Sequence, residues 1–413
     1  MQQPAVRILY FIPEPVDTFR VDVSTLFGPR LAELGVQTHV VGMPPGAPMD
    51  ASRYAAVSYP QDSGSRLVRE LRYVALVLAL LARSRGRYDL IQVRDMVPTG
   101  VLAFVFSVLL RLPFVYWMSY LMSEGRIAQA RKDGAAAKTL RARLRAKAVL
   151  TKGVVERRLL YGWLLPRARH VFVQSEAMGR WVDDQTNGGV SHSAVPMGVD
   201  TTVLNPQAVV PRRLDEWRQD FVIGYLGTLS LVRGFDQLID ALVLVQLSIP
   251  GARLLLIGDG PSPRDAQEIL SYAARRGVAD SVRITGWLAR EEAMPLLAGV
   301  NIAVSNFPRS ELLDTCSPTK VVEYLALAIP CVGNDNPDQA ALLRSSGAGR
   351  LCESTAQALA AGIVDLASDL HGAWVAAARG PGFVRAHRDY RVLAAQVRAR
   401  YAQAMQSQSG EHA

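Results

Sequence analysis

Cysteine is scarce in this chain. Cys316, Cys331 and Cys352 are odd in number and lack metal-ligand spacing, which excludes a disulfide framework and points to a reducing compartment. Long apolar runs are missing as well. Residues 73–82 end at Arg83 and residues 101–110 at Arg111; each is well short of the roughly twenty residues a bilayer span needs, so both are expected to be buried helices. Residues 1–7 run straight into a strand-like segment, 8–12, and no secretion signal is expected. No Gly-x-Gly-x-x-Gly follows that segment, which speaks against a dinucleotide oxidoreductase. Helix-turn-helix, zinc and aromatic–basic RNA motifs are also missing, so the net charge of +9 is not read as nucleic-acid binding. That charge does favour anionic partners such as nucleotides or acidic lipid.

What is present is alternation. Residues 6–12, 38–42, 88–95, 114–118 and 170–174 read as strands, and 21–34 as a helix stopping before Gly35. In the second half, strands at 221–226, 253–257, 281–285, 300–305 and 329–333 alternate with helices at 235–246, 264–276, 290–298 and 319–328. Such a rhythm predicts an α/β protein with parallel sheets covered on both faces. Ligands of such sheets bind at the carboxyl ends of the strands. Residues 205–213, with two prolines and a closing Arg212-Arg213, read as a linker. The expected domains are 1–205 and 206–383. A helix follows from 384, with a return to the first domain as one course for it, and then a polar tail at 407–413.

Residues 126–169 break the rhythm, with thirteen Lys or Arg against Asp133 and Glu156. A basic helical insertion at 124–169 is expected. Leu140, Leu144, Ala148 and Thr151 approximate one helical face, with Arg141, Arg143, Arg145 and Lys147 around it. That pattern suits an anionic membrane surface, where each basic residue contributes about 1 kcal/mol. The plainer alternative is a solvated helical hairpin.

Residues 316–331 read as a loop, a helix start and a short strand. Ser317 is the expected N-cap and Pro318 sits in the first turn. Lys320 and Glu323, three apart, share a face. A helix start suits an anion such as pyrophosphate, and a carboxylate one turn on could accept from a ribose diol. A capped helix with a solvated Lys–Glu pair is the alternative. Three further loops follow strands: 224–234 with Gly227 and Arg233, the tight turn 257–261 with Gly258, and 285–287 with Trp287.

Together these four loops resemble the donor-binding domain of family 4 glycosyltransferases, which have the GT-B fold. The matching stretches are Tyr225-Leu-Gly-Thr-Leu with Arg233-Gly-Phe-Asp-Gln-Leu-Ile-Asp-Ala241, Leu256-Ile-Gly-Asp-Gly-Pro261, Val282-Arg-Ile-Thr-Gly-Trp287, and Ser317-Pro-Thr-Lys-Val-Val-Glu-Tyr-Leu-Ala326. The resemblance implies two Rossmann-like domains with parallel sheets facing a central cleft, and a metal-independent, retaining hexosyltransferase. The sugar nucleotide is the donor substrate, and no cofactor or metal is expected. Glu323 matches the ribose-holding glutamate and Arg233 the basic residue at the diphosphate. Lys320 and the amides around Ser317, Pro318 and Thr319 would assist. Gly227, Thr228 and Gly258 line the donor, and residues around Trp287 flank the base. Charge-assisted contacts of this kind stabilise a leaving nucleoside diphosphate.

Several positions depart from the family pattern. The first motif glutamate falls at Thr315, with Asp314 or Glu311 as substitutes. Thr228 stands where many members have a second basic residue, Thr18 and Phe19 where glycines are usual, and Arg94 near a frequent histidine. Arg94 thus joins Arg233 and Lys320 as a catalytic candidate. Asp17, Asp95 and Glu124 are acceptor-side candidates; for all four first-half residues a cap or ion pair is the competing role. The expected acceptor is a lipid-linked saccharide, at the cytoplasmic face of the cell membrane, in glycolipid or cell-surface polysaccharide synthesis. A non-catalytic sugar-nucleotide-binding or scaffold subunit of a membrane-associated complex is the alternative, favoured by Thr315.

Overall fold

The computed structural model describes residues 5–18, 20–46, 50–61, 65–229 and 233–406. The chain divides into two compact units, Met1–Pro196 with Tyr390–Ala413, and Met197–Asp389. In the first unit the strands are β1 (Val6–Pro15), β2 (Val36–Met43), β3 (Ala56–Ser58), β4 (Leu90–Arg94), β5 (Phe114–Met118), β6 (His170–Val173) and β7 (His192–Ala194). In the second they are β8 (Phe221–Leu226), β9 (Ala252–Ile257), β10 (Val282–Ile284), β11 (Ile302–Ser305), β12 (Cys331–Asn334) and β13 (Arg350–Cys352). The strand orders are β3-β2-β1-β4-β5-β6-β7 and β10-β9-β8-β11-β12-β13. All pairings between these strands are parallel. The α/β expectation holds. Each sheet reverses its winding beside its first strand, between β1 and β4 and between β8 and β11, which is where parallel sheets open a crevice.

Alternation along the strands explains the double covering. On β9, Leu255 and Ile257 join a core with Leu297, Val321, Val322 and Leu325. Leu254 and Leu256 join another with Leu238, Leu242, Ile269 and Leu359. One face is thus packed by the helices Arg290–Ala298 and Thr319–Ala326, the other by Phe235–Gln246, Pro263–Arg275 and Ala356–Ser368. β3, β7 and β13 escape a reading by apolar runs because each is a three-residue edge strand.

Four expectations are corrected. The stretch 205–213 is no linker: Val209 is buried in the second core, and Arg212 N–H and Arg213 Nε donate to the carbonyls of Pro295 and Gly299 at 2.8 Å each. The change of unit falls at 196/197 instead. The terminal helix is two helices, Gly380–His387 and Tyr390–Gln406, and the second packs in the first unit. Its Leu393, Val397 and Tyr401 share a core with Ile8, Tyr10 and Trp117. The helices Arg66–Ala82 and Val97–Leu110 are not wholly buried, because each turns only one face inward. Tyr73, Val77 and Leu81 turn inward while Leu67, Leu71, Val74 and Leu78 are exposed. Among the described residues no helix is long and apolar enough to cross a membrane.

The fully buried Tyr401 also donates from its hydroxyl to Gln92 Oε1 at 2.6 Å, in the middle of β4. Tyr401→Ala is expected to destabilise the chain by about 3–5 kcal/mol through the lost ring and the cavity it leaves. Urea unfolding should show the loss as a lower midpoint with an unchanged slope.

Candidate active site

The second unit's loops meet at the carboxyl ends of β8, β9, β10 and β11, and glycine makes the meeting possible. Gly227 N–H donates to the Ile257 carbonyl at 2.9 Å, and Leu229 N–H to the Asp259 carbonyl at 2.9 Å. The loops after β8 and β9 therefore run against each other. A Cβ on Gly258 would lie 2.1 Å from the Gly227 carbonyl oxygen, and both glycines have positive φ, +140° and +139°. No other residue type fits that passage. Gly258 N–H in turn donates to Thr285 Oγ1 at 3.1 Å, which ties in the loop after β10.

Lys320 and Glu323 point to two different neighbours on this edge. They sit in the helix Thr319–Ala326, whose start carries no side-chain cap. Lys320 Nζ lies 5.0 Å from the Tyr225 ring centre and 5.9 Å from that of Phe307. It reaches the bare face of Gly227, whose Cβ would stand 3.4 Å from it. Among the described residues it has no ion-pair partner, only the two aromatic faces, which attract a cation. Glu323 meets the start of the helix Arg290–Ala298 instead. Arg290 Nη1 donates to Glu323 Oε1 at 3.4 Å. Burial raises the Glu323 carboxyl above its ordinary pKa; Arg290 and then Lys320 pull against that rise.

Arg233 is half-buried and leads into the helix Phe235–Gln246. Its neighbour Gly234 offers its carbonyl to Asn306 Nδ2 at 2.8 Å, just past β11, next to the Phe307 that faces Lys320. Arg233, Lys320 and Glu323 are thus carried on one edge. Thr228 and Trp287 are exposed, Trp287 at 78%. Residues 230–232 of the first motif lie outside the described residues.

Other motif residues serve the scaffold. Ser317 is not the N-cap, which is Pro318, so the helix begins at Thr319. The Ser317 hydroxyl is taken instead: it accepts from Met197 N–H at 2.9 Å and donates to Asp338 at 2.6 Å, itself paired with Arg388 at 2.7 Å. Thr315 is buried and donates to the Leu312 carbonyl at 2.8 Å. Asp314 is gripped by Arg309 at 2.7 and 2.9 Å, while Glu311 is exposed. Two residues of this edge escaped the sequence reading. Arg290 opens a helix that the apolar spacing predicts, but no local pattern ties it to Glu323. Asn306 is 2% exposed with its Oδ1 unpartnered among the described residues, and nothing in its neighbours' pattern marks it.

In the first unit, Arg94 has no exposed surface. It pairs with Asp22 at 2.7 Å, Glu14 at 3.4 Å and Asp95 at 3.6 Å. A guanidinium enclosed in this way orders carboxylates; it does not reach a substrate, and the expectation of direct catalytic contact is withdrawn. Asp95 takes a positive φ of 55° and accepts from Ser119 N–H at 2.7 Å. Burial raises its pKa and that of Glu14, against the pull of Arg94. For Asp22 burial works the same way, but Arg94 and Arg20 outweigh it and leave the carboxyl below its usual range. Asp17 accepts from Gly46 N–H at 2.9 Å. Glu124 accepts from Ser123 at 2.8 Å and lies 3.7 Å from Arg157, the ion-pair role weighed for it. Thr18 is described; Phe19 lies outside the described residues.

Residues 220–369 match the family model described as glycosyl transferases group 1. A curated relative, the D-inositol 3-phosphate glycosyltransferase of Segniliparus rotundus, is 33% identical over 102 residues, 24% of this chain and 22% of that protein. The aligned segment thus spans under a quarter of the relative's length. Solved structures extend the likeness of fold to the whole chain. The sucrose-phosphate synthase of Thermosynechococcus elongatus has TM-score 0.72 and 17% identity over 97% of this chain and 100% of its own. HepE of Anabaena, solved with UDP and glucose, gives 0.68 and 17% over 95% and 98%. WaaG, a glycosyltransferase involved in lipopolysaccharide biosynthesis, gives 0.66 and 13% over 94% and 98%. The fold is GT-B.

The second unit depends on its glycines unequally. Gly286 has φ +73° and open space around its missing Cβ, whereas Gly258 combines positive φ with the Gly227 carbonyl. Gly286→Ala should cost about 1–2 kcal/mol. Gly258→Ala should cost clearly more, read as the difference between the two variants' unfolding midpoints.

Proposed function

We propose that the chain is a retaining glycosyltransferase that moves a sugar from a nucleoside-diphosphate donor to an acceptor. The observation that carries this reading is the Lys320 ammonium. It is 6% exposed by residue, unpaired by any carboxylate among the described residues, and set against Gly227, one turn from a buried Glu323. A cation kept away from carboxylates, beside backbone stripped of side chains and an uncapped helix start, is complementary to a pair of phosphoryl groups. In this reading Lys320, Arg233 and the backbone N–H groups of Ser317, Thr319 and Lys320 hold the diphosphate. Glu323 holds the ribose, and the base lies toward Trp287. As the anomeric bond breaks, negative charge grows on the leaving diphosphate, and these groups lower the barrier there without a metal ion. The acceptor enters from the same face as the departing diphosphate, so the anomeric configuration is kept. The UDP-bound HepE structures and the inositol-phosphate relative support a sugar-nucleotide donor.

Lys320→Ala and Arg233→Ala should each lower transfer or donor hydrolysis by about a hundredfold or more while the thermal midpoint stays near that of the wild type. Activity that persists in both variants, in a donor panel of UDP-, GDP-, ADP- and dTDP-sugars, would refute the assignment. A non-catalytic binding or scaffold subunit is the second reading, favoured by the buried, self-satisfied Thr315. It predicts donor binding with no turnover.

The acceptor side of the proposal is a lipid-linked saccharide at the inner face of the cell membrane. In the helix Leu140–Leu159, Leu140 and Leu144 are 73% and 59% exposed, among exposed Arg141, Arg143, Arg145 and Lys147. Apolar tips and cations together suit an anionic lipid surface. The likeness of fold to WaaG is in keeping with glycolipid synthesis. Vesicles with anionic lipid should retain the protein at low salt and release it at high salt. Charge reversal at Arg141, Arg143 and Arg145 should abolish retention in a co-sedimentation assay.

A further inference from the structure

The Arg290–Glu323 pair is oddly built for a structural ion pair. Arg290 is the first residue of the helix Arg290–Ala298, where the helix dipole disfavours a cation and favours acids such as its neighbours Glu291 and Glu292. Its side chain is 40% exposed, while that of Glu323 is 9% exposed. The contact is long, 3.4 Å, and engages one carboxylate oxygen. Glu323 Oε2 accepts nothing from the described residues. The carboxylate is therefore bonded through one oxygen and left open at the other.

We propose that Arg290 is a positioning residue for the nucleotide: it holds Glu323 ionised and aimed, so that the carboxylate grips a ribose diol and the site distinguishes ribonucleotides from 2′-deoxyribonucleotides. This rests on the donor reading given above. The charged and titratable groups facing Glu323 are Arg290 from the neighbouring helix, and Lys320 and Tyr324 from its own. Tyr324 donates to the Val304 carbonyl at 3.0 Å, and burial holds its hydroxyl far above its ordinary pKa and hence neutral. Lys320 is turned to the aromatic rings beside Gly227. Arg290 is thus the one cation of the set bonded to the carboxylate, and it stands three residues after Trp287. Without it, burial of Glu323 is opposed by Lys320 alone, and its pKa climbs further. A protonated carboxyl then donates on one oxygen and accepts weakly on the other, which costs it the bidentate grip on two hydroxyls.

The test measures binding of UDP, GDP and ADP, each beside its 2′-deoxy counterpart, to wild type, Arg290→Ala, Arg290→Lys, Glu323→Gln and the double variant Arg290→Ala with Glu323→Gln, at pH 6 and pH 8.5. The wild type should prefer its ribonucleotide by roughly tenfold or more at both pH values. In Arg290→Ala that preference should collapse at pH 6 and return in part at pH 8.5. Arg290→Lys should keep it, and the double variant should be no weaker than Glu323→Gln alone, the mark of two residues acting as one. An Arg290→Ala protein with the wild-type preference at both pH values overturns the proposal. So does a loss equal for ribo and deoxy ligands that adds fully to that of Glu323→Gln. If no nucleotide binds the wild type, the donor reading itself fails, and this inference with it.

Discussion

A carboxylate taken out of water is the constraint on which the second unit turns. Glu323 is 7% exposed, and burying a charge of this kind costs several kcal/mol unless it is compensated. Hydrophobic packing could have filled the position more cheaply. The compensation supplied is partial: one long bond from Arg290, a second cation a turn away, and an oxygen left without a donor among the described residues. A fully satisfied ion pair would be a sealed structural feature. An incompletely satisfied one keeps its remaining capacity for something that arrives.

The backbone around it follows from the topology. In a parallel sheet every crossover returns to the same edge, so the carboxyl ends of β8, β9, β10 and β11 crowd together. Crowding is tolerable only where side chains are removed, and Gly227 and Gly258 are removed to the limit, with one's missing Cβ overlapping the other's carbonyl. The glycines here are neither hinges nor generic turns; they let the loops after β8 and β9 bond to each other with the Lys320 side chain against Gly227.

The parts of this arrangement that local chemistry controls could be read in the sequence, and the parts set by distant partners could not. β5, β8 and the helices Phe235–Gln246 and Arg290–Ala298 emerged with their ends correct, because apolar period and flanking glycines determine them locally. Lys320 and Glu323 were recognisable by spacing and by resemblance. Ser317 misled: everything local favours a cap, but Met197, Asp338 and Arg388, distant in sequence, claim its hydroxyl. The stretch 205–213 misled in the same way, since prolines suggest a linker and only tertiary contact shows Val209 inside a core. Arg290 lay in plain view as a helix start, but nothing in sequence connects it to a glutamate thirty-three residues on.

Arg94 shows the same limit and yields a contrast between the two units. In the first, Arg94 and Arg20 meet Glu14, Asp22 and Asp95, two cations against three carboxylates. In the second, Arg233, Lys320 and Arg290 share an edge with the buried Glu323, and Asp259 in the loop after β9 is exposed. The first cluster follows β1 and β4 and the second follows β8 and β11, so each flanks the reversal point of its own sheet. A diphosphate is stabilised by the second kind of edge and repelled by the first. A neutral, hydroxyl-rich molecule loses nothing at an acidic edge, because carboxylates only accept and its hydroxyls can donate. Arg94, fully enclosed, and Arg20 are what allow three carboxylates to stand so near one another there. The sign of charge beside the switch point thus differs between the two units.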